Sequence, residues 1–272
     1  MRAYDFEDFE YNRAGWGDQI APQRYPVKKR CSRKRRRPLC RLVLALMVAA
    51  FAFTGMGLAA WSGVERTLGR ADCPQVLLDA LENNPEMKDF VRGYASQHQN
   101  PPAETLSESL DTMPLLLQWD ERWGYQEYGS SMIALSGCAP TCVAMVAAYL
   151  TGDPSITPYS VAQYAEQQGY YVPGKGTSWE LLHTGTQALG VTAAELPLSE
   201  RRINDALDAG NPVICSMLPG DFTTEGHFIV LYGREDGGYL VRDPNSIERS
   251  EKVWYYETLS GQIGNLWACT GA

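Results

Sequence analysis

Ser136-Gly137-Cys138-Ala139-Pro140-Thr141-Cys142-Val143-Ala144-Met145-Val146-Ala147-Ala148-Tyr149-Leu150 is the stretch on which the fold turns. A Gly and a Cys come first, then a Pro, then an apolar run with the character of a buried helix. Proline is tolerated in the first helical turn, where its missing N–H has no partner to lose. Cys138 therefore opens a helix, on the edge of a bend supplied by Gly137. Unpaired N–H groups and the positive end of the helix dipole favour a thiolate at such a place. Cys138 is a candidate nucleophile. The competing reading is a small buried hydrophobe, the ordinary state of a free cysteine. Cys142, one turn on, reads as core, and cysteines four apart on a helix rarely reach disulfide geometry.

A nucleophilic thiol needs a base, and the chain has 3 His. His98 lies in a polar linker and His183 inside a helical pattern. His227 follows Gly226 and opens the apolar run Phe228-Ile229-Val230-Leu231-Tyr232, so it stands at the mouth of a strand. The run Gly238-Tyr239-Leu240-Val241-Arg242 ends on Asp243-Pro244 and should form a hairpin with it. A loop centred on Glu235 sets Asp243 directly across from His227, where a carboxylate can orient the imidazole. A regular two-residue turn at Asp236-Gly237 instead pairs Asp243 with Val230, on the wrong face. The odd-numbered loop, or a compensating bulge, is the expectation.

Working outward, helices are expected near Ser160–Gln168, Ser178–Leu189 and Ser199–Ala209, and strands at Val213–Leu218, His227–Gly233, Gly238–Asp243 and Lys252–Tyr256. Helices first and strands afterwards is the α+β pattern. Cys215 falls within a strand and reads as inert.

The N-terminal third is different. Residues 1–41 carry 12 Lys and Arg against 5 Asp and Glu, whereas the rest carries 12 against 27. An acidic body repels phosphate and argues against a nucleic-acid partner. The run Lys28–Arg37 is the positive flank of an apolar segment. That segment, Leu42–Trp61, holds 20 residues without a charge, enough to span a ~30 Å hydrocarbon core. The positive-inside rule keeps 1–41, a basic tail, in the cytoplasm and sends the remainder outside. The expected organisation is a single-pass helix at 42–61, a helical stalk and linker at 62–112, and a catalytic domain at 113–272. Cleavage as a signal peptide after Leu58-Ala59-Ala60 is the alternative. Cys31 and Cys40, flanking the basic run, are open to acylation. Val76, Leu77, Leu78 and Leu81, then Met87, Phe90, Val91 and Tyr94, give the stalk an apolar face that suggests packing onto the domain. Asn84-Pro85 marks a break between the two groups. A Cys73–Cys269 bridge is open to an extracytoplasmic chain.

Gly137-Cys138-Ala139-Pro140-Thr141-Cys142, Gly226-His227-Phe228-Ile229-Val230-Leu231-Tyr232-Gly233 and Val241-Arg242-Asp243-Pro244-Asn245-Ser246 together resemble the papain-like cysteine peptidases of the bacteriocin-leader-processing type, and more closely their standalone bacterial relatives, the C-39-like group. Gln118-Trp119-Asp120-Glu121-Arg122-Trp123 and Ala209-Gly210-Asn211-Pro212-Val213-Ile214 are similar to two further motifs of that group. The resemblance covers about residues 113–260 and implies a papain-like fold that cuts a peptide or protein substrate. It implies Cys138 as nucleophile, His227 as general base and Asp243 as orienting acid. Two positions depart from the pattern: Ala139 stands where Gly is usual, and Met132 where the leader-processing enzymes carry an oxyanion-hole Gln. Gln118 is the substitute, as in the standalone relatives. No cofactor is implied, and 3 His without a Cys-x-x-Cys pair leave little to build a zinc site from. Two other functions fit the same residues: a binding module that has lost turnover, and an amidase or endopeptidase acting on cell-wall peptides.

Overall fold

The computed structural model describes residues 73–272. The basic tail at 1–41 and the apolar segment at 42–61 lie outside the described residues. Among the described residues no helix is long and apolar enough to cross a membrane.

The described chain begins with the helical preface. Helix α1 (Gln75–Asn83) and helix α2 (Lys88–Gln97) are separated by a 3-10 turn, Pro85–Met87. Asn84 makes the break: its side-chain oxygen caps the turn by accepting from the Glu86 N–H at 3.1 Å. Leu77, Met87, Phe90 and Val91 are buried with Trp119, Tyr125 and Ala134 in one apolar cluster. Phe90 stacks on Tyr125 at 4.1 Å between ring centroids. The preface is thus a packed layer of the body rather than a free stalk, as its apolar positions suggest.

Helix α3 (Cys138–Thr151) is the central element, with every residue from Ala139 to Ala148 buried. A short helical turn, Ile133–Ser136, leads into it. Gly137 makes the bend by close approach: a Cβ there would fall 2.6 Å from the Ile133 carbonyl oxygen. Helix α4 (Pro158–Gln167) starts on a reciprocal Thr157–Ser160 capping box. The helix expected over Ser178–Leu189 divides at Thr184 into Glu180–His183 and the 3-10 turn Gly185–Leu189. The Tyr170 ring lies across Gly185, where a Cβ would meet it at 2.8 Å, and Tyr164 donates to the Gly185 carbonyl. Helix α5 (Glu200–Asp208) follows.

Six antiparallel strands make the sheet: β1 (Val191–Glu195), β2 (Val213–Met217), β3 (His227–Glu235), β4 (Gly238–Arg242), β5 (Val253–Trp254) and β6 (Ile263–Gly271), in the order β1-β6-β2-β3-β4-β5. Four of these match expected strands, although β5 is only two residues long. Strands β1 and β6 were not anticipated, yet β6 lies inside the sheet between β1 and β2. Ile214, Phe228, Val230, Trp267 and Cys269 face the α3 core. Val213, Cys215, Ile229, Leu231 and Leu266 bury the opposite face with Ile203 and Leu207 of α5. With both faces covered, the strands read as continuous apolar runs. The result is an α+β fold with its helical part first and its antiparallel sheet after.

Cys73 and Cys269 are free thiols, so the bridge considered between them is not made. Cys269 is buried in β6, where its side chain belongs to the α3 core.

Candidate active site

The hairpin register decides whether His227 and Asp243 can meet. The β3–β4 connection is the two-residue turn Asp236-Gly237, with Glu235 paired to Gly238 and both turn residues at positive φ, 49° and 79°. The odd-numbered loop does not form. The ladder slips once, between Leu231 and Gly233, so Tyr232 is an extra residue on β3. Beyond that bulge Leu231 pairs with Val241 and Val230 with Arg242. Asp243 then falls level with Ile229 and on the same face as His227. The compensating bulge is therefore what brings the two side chains together, diagonally rather than directly opposite.

His227 Nε2 lies 2.7 Å from Asp243 Oδ1, and both residues are buried, at 6% and 0% exposure. Cys138, at the first position of α3, shares the cleft with the same imidazole and is among the groups that raise its pKa. With Nε2 committed to Asp243, Nδ1 is the ring nitrogen left for the thiol. Burial disfavours the charged imidazole, but the Asp243 carboxylate, its hydrogen bond and Cys138 outweigh it. The His227 pKa is pushed up to about 10.

Asp243 is itself held on both oxygens. Oδ1 also accepts the Asn245 backbone N–H at 2.8 Å, and Oδ2 accepts the Arg249 guanidinium. Its own N–H donates to Ser250 Oγ at 2.8 Å. Burial raises the carboxyl pKa, yet His227 and Arg249 bring it below the ordinary carboxylate value. Arg249, Asn245 and Ser250 were not anticipated. The available signal was Ser246, which caps the short helix Ile247–Ser250 by accepting the Arg249 N–H at 3.1 Å. That turn brings Arg249 back over Asp243.

Cys138, His227 and Gln118 line one open cleft of about 880 Å³. Its other walls are the 220–226 loop, the Asn245–Arg249 turn and, unexpectedly, Ala80 to Met87 of the preface. Gln118 is buried, its backbone N–H donating to the Pro244 carbonyl at 2.7 Å and its Nε2 to the Ala134 carbonyl at 2.8 Å. The second Nε2 hydrogen is uncommitted, and Oε1 has no partner. Met132 packs instead with the preface cluster.

Three other cysteines are set deeper than Cys138. Cys142, Cys215 and Cys269 are fully buried, and burial raises each thiol pKa, that of Cys269 to about 12. His98 donates locally from Nδ1 to the Tyr94 carbonyl at 2.7 Å, and His183 stands by Glu195 at 3.7 Å. Neither belongs to the cleft. Among the described residues no three His, Cys, Asp or Glu side chains gather as metal ligands.

Among the solved structures similar to this chain are two peptidase domains. The peptidase domain of Streptococcus ComA, a bi-functional ABC transporter involved in a quorum-sensing pathway, is 21% identical, covering 51% of this chain and 93% of that one, with a TM-score of 0.39. A C39-like peptidase from Bacillus anthracis is 17% identical, covering 58% and 95%, with a TM-score of 0.37. No curated protein matches. The model of the Peptidase_C39 like family matches residues 110–271, a span that contains Cys138, His227, Asp243 and Gln118, and the chain belongs to that family.

Proposed function

We propose that this protein is a membrane-anchored cysteine peptidase whose catalytic domain works outside the cytoplasm. The observation that carries the chemistry is the buried His227–Asp243 hydrogen bond at 2.7 Å in the cleft that Cys138 also lines. The anchoring rests on the uncharged stretch Leu42–Trp61 and the basic run before it.

His227 takes the Cys138 proton, and the imidazolium is stabilised by the Asp243 carboxylate. The thiolate attacks the carbonyl carbon of a peptide bond, and the carbonyl π pair moves to oxygen. The Cys138 backbone N–H and the free Gln118 Nε2 hydrogen receive that oxyanion, each donor worth about 10²- to 10³-fold in rate. His227 returns the proton to the leaving amine as the C–N bond breaks, giving a thioester on Cys138. Water, deprotonated by His227, then attacks the thioester. The acid leaves and the thiol is restored. Arg249 and Asn245 keep Asp243 ionised and aimed through acylation and deacylation alike.

The test is an epoxide or vinyl-sulfone probe on the full chain. It should label the wild type at Cys138 and leave Cys138→Ala unlabelled. Labelling that survives in Cys138→Ala assigns the nucleophile elsewhere and ends the proposal.

A further inference from the structure

The preface lies outside the family's matched span, yet it grips the turn that carries the orienting acid. Asn84 Nδ2 donates to the Asn245 carbonyl at 2.7 Å and to Asn245 Oδ1 at 3.1 Å. Ser246 Oγ donates to Glu86 Oε1 at 2.5 Å, and the Ile247 N–H donates to Glu86 Oε2 at 2.7 Å. From these contacts two lines run to Asp243, one to each carboxylate oxygen. Asn84 holds Asn245, whose N–H bonds Oδ1. Glu86 holds Ser246, which caps the turn that presents Arg249 to Oδ2. The contacts bridge some 160 residues of sequence, and the Trp119 indole adds a third hold on the Asn245 carbonyl at 3.2 Å. A carboxylate spent on one hydroxyl and one backbone N–H, at the seam between two segments, has a fixed geometric task.

We infer that Glu86 is a positioning residue of the catalytic centre: through Ser246 and the Ile247 N–H it fixes the 243–249 turn, so the preface completes the peptidase site. This rests on the peptidase reading for its kinetic consequence, but not for its effect on the imidazole.

The groups facing the imidazole are few. His227 faces Asp243 from the end of β4 and Cys138 from α3. Asp243 faces Arg249 and, from α3, Cys142. Asp221, Glu225, Glu248 and Lys252 stand around the cleft. Glu86→Ala leaves these side chains unchanged and removes the hold on the turn together with the Glu86 charge on the cleft wall, a loss of charge that Glu86→Gln shares.

The experiment is a histidine-labelled NMR titration of the full chain, with peptide kinetics alongside. The chain has 3 His, and the His98 and His183 signals serve as internal references. In Glu86→Ala we expect the His227 titration to fall by about one pH unit as Asp243 loosens. We expect kcat to drop about 10- to 100-fold with KM within about twofold. Glu86→Gln keeps an acceptor for Ser246 and should recover part of both, and it is the variant to use if Glu86→Ala does not fold. Val91→Ala, which thins preface packing without touching the turn, should lower the melting temperature and leave the His227 titration where it was. A His227 titration in the Glu86 variants that superimposes on wild type overturns the inference. A shifted titration in a chain that hydrolyses no peptide supports it while removing the peptidase reading.

Discussion

His227 and Asp243 occupy one face of the β3–β4 hairpin without being paired across it, because Tyr232 is left out of the ladder. One residue of slip converts an unreachable carboxylate into a hydrogen-bond partner at 2.7 Å. The charge and the orientation that Asp243 supplies can be separated by substitution. Asp243→Asn keeps an acceptor for Nε2 but loses the charge and sets an amide against Arg249. We expect His227 to titrate far below about 10, and kcat to fall about tenfold. Asp243→Ala loses orientation as well and should fall about 10³-fold. NMR titration of His227 and peptide kinetics check both.

Arg249 is the cation that lets Asp243 be buried and ionised at once. Arg249→Met leaves Oδ2 without its partner. Breaking a buried pair from one side costs about 3–5 kcal/mol, but Arg249 is 25% exposed and water screens part of that. We expect a loss of about 2 kcal/mol in urea unfolding.

The His227–Asp243 pair also predicts how stability follows pH. His227 is raised above its unfolded value of 6.5 to about 10. Its contribution is therefore fully present below about 6.5 and is lost as pH rises through about 10. Asp243 is lowered, so its contribution is present above the unfolded carboxylate value, about 3.9, and is lost as pH falls further. Melting temperature against pH should show a plateau between those limits. His227→Gln should flatten the alkaline decline, and an unchanged decline in that variant would show that another group causes it.

Much of this centre is legible in the chain itself because its signals are local. Gly137 before Cys138 and Pro140 after it mark a helix start, and Gly226-His227 marks a strand mouth. Asp243-Pro244 ends a strand because proline cannot continue the ladder. What escaped depends on tertiary context. The bulge is one of the two expected ways for Asp243 to reach His227, but its position at Tyr232 leaves no mark, since Asp236-Gly237 is an ordinary hairpin turn that by itself sends Asp243 to the wrong face. Strand β6 carries Gly264, Asn265 and Gly271, poor strand formers, and its Leu266–Cys269 core is buried on both faces, so no alternation appears. Glu86 is a common surface residue type whose partners are fixed only by docking of the preface, whereas Arg249 is brought to Asp243 by the Ser246-capped turn.

Gly137 tests whether the bend at Cys138 is a matter of space. A Cβ there meets the Ile133 carbonyl oxygen and Cγ2 at 2.6 Å each. Backbone on one side leaves nothing flexible to yield, so Gly137→Ala must shift the start of α3. Strain of this kind costs about 1–3 kcal/mol. A displaced Cys138 should also lose probe labelling well beyond the folded fraction lost, which calorimetry and mass spectrometry of the labelled peptide together measure.

Gln118 is the one buried amide at the cleft with hydrogen-bonding capacity left over. Nε2 gives one hydrogen to Ala134 and keeps one, while Oε1 has no partner. An unsatisfied buried acceptor costs about 1–3 kcal/mol, which evolution seldom leaves in place without return. On the proposed mechanism the return is a donor held in the cleft that Cys138 lines before substrate arrives. Gln118→Ala removes the unsatisfied oxygen and frees the Ala134 carbonyl, so stability should change by less than about 1 kcal/mol. The oxyanion loses a donor, and kcat should fall about 10²- to 10³-fold with KM nearly constant. Gln118→Glu, isosteric but without that N–H, should be as slow as Gln118→Ala. Wild-type kcat in both variants would remove Gln118 from the chemistry and leave the Cys138 backbone N–H as the oxyanion donor.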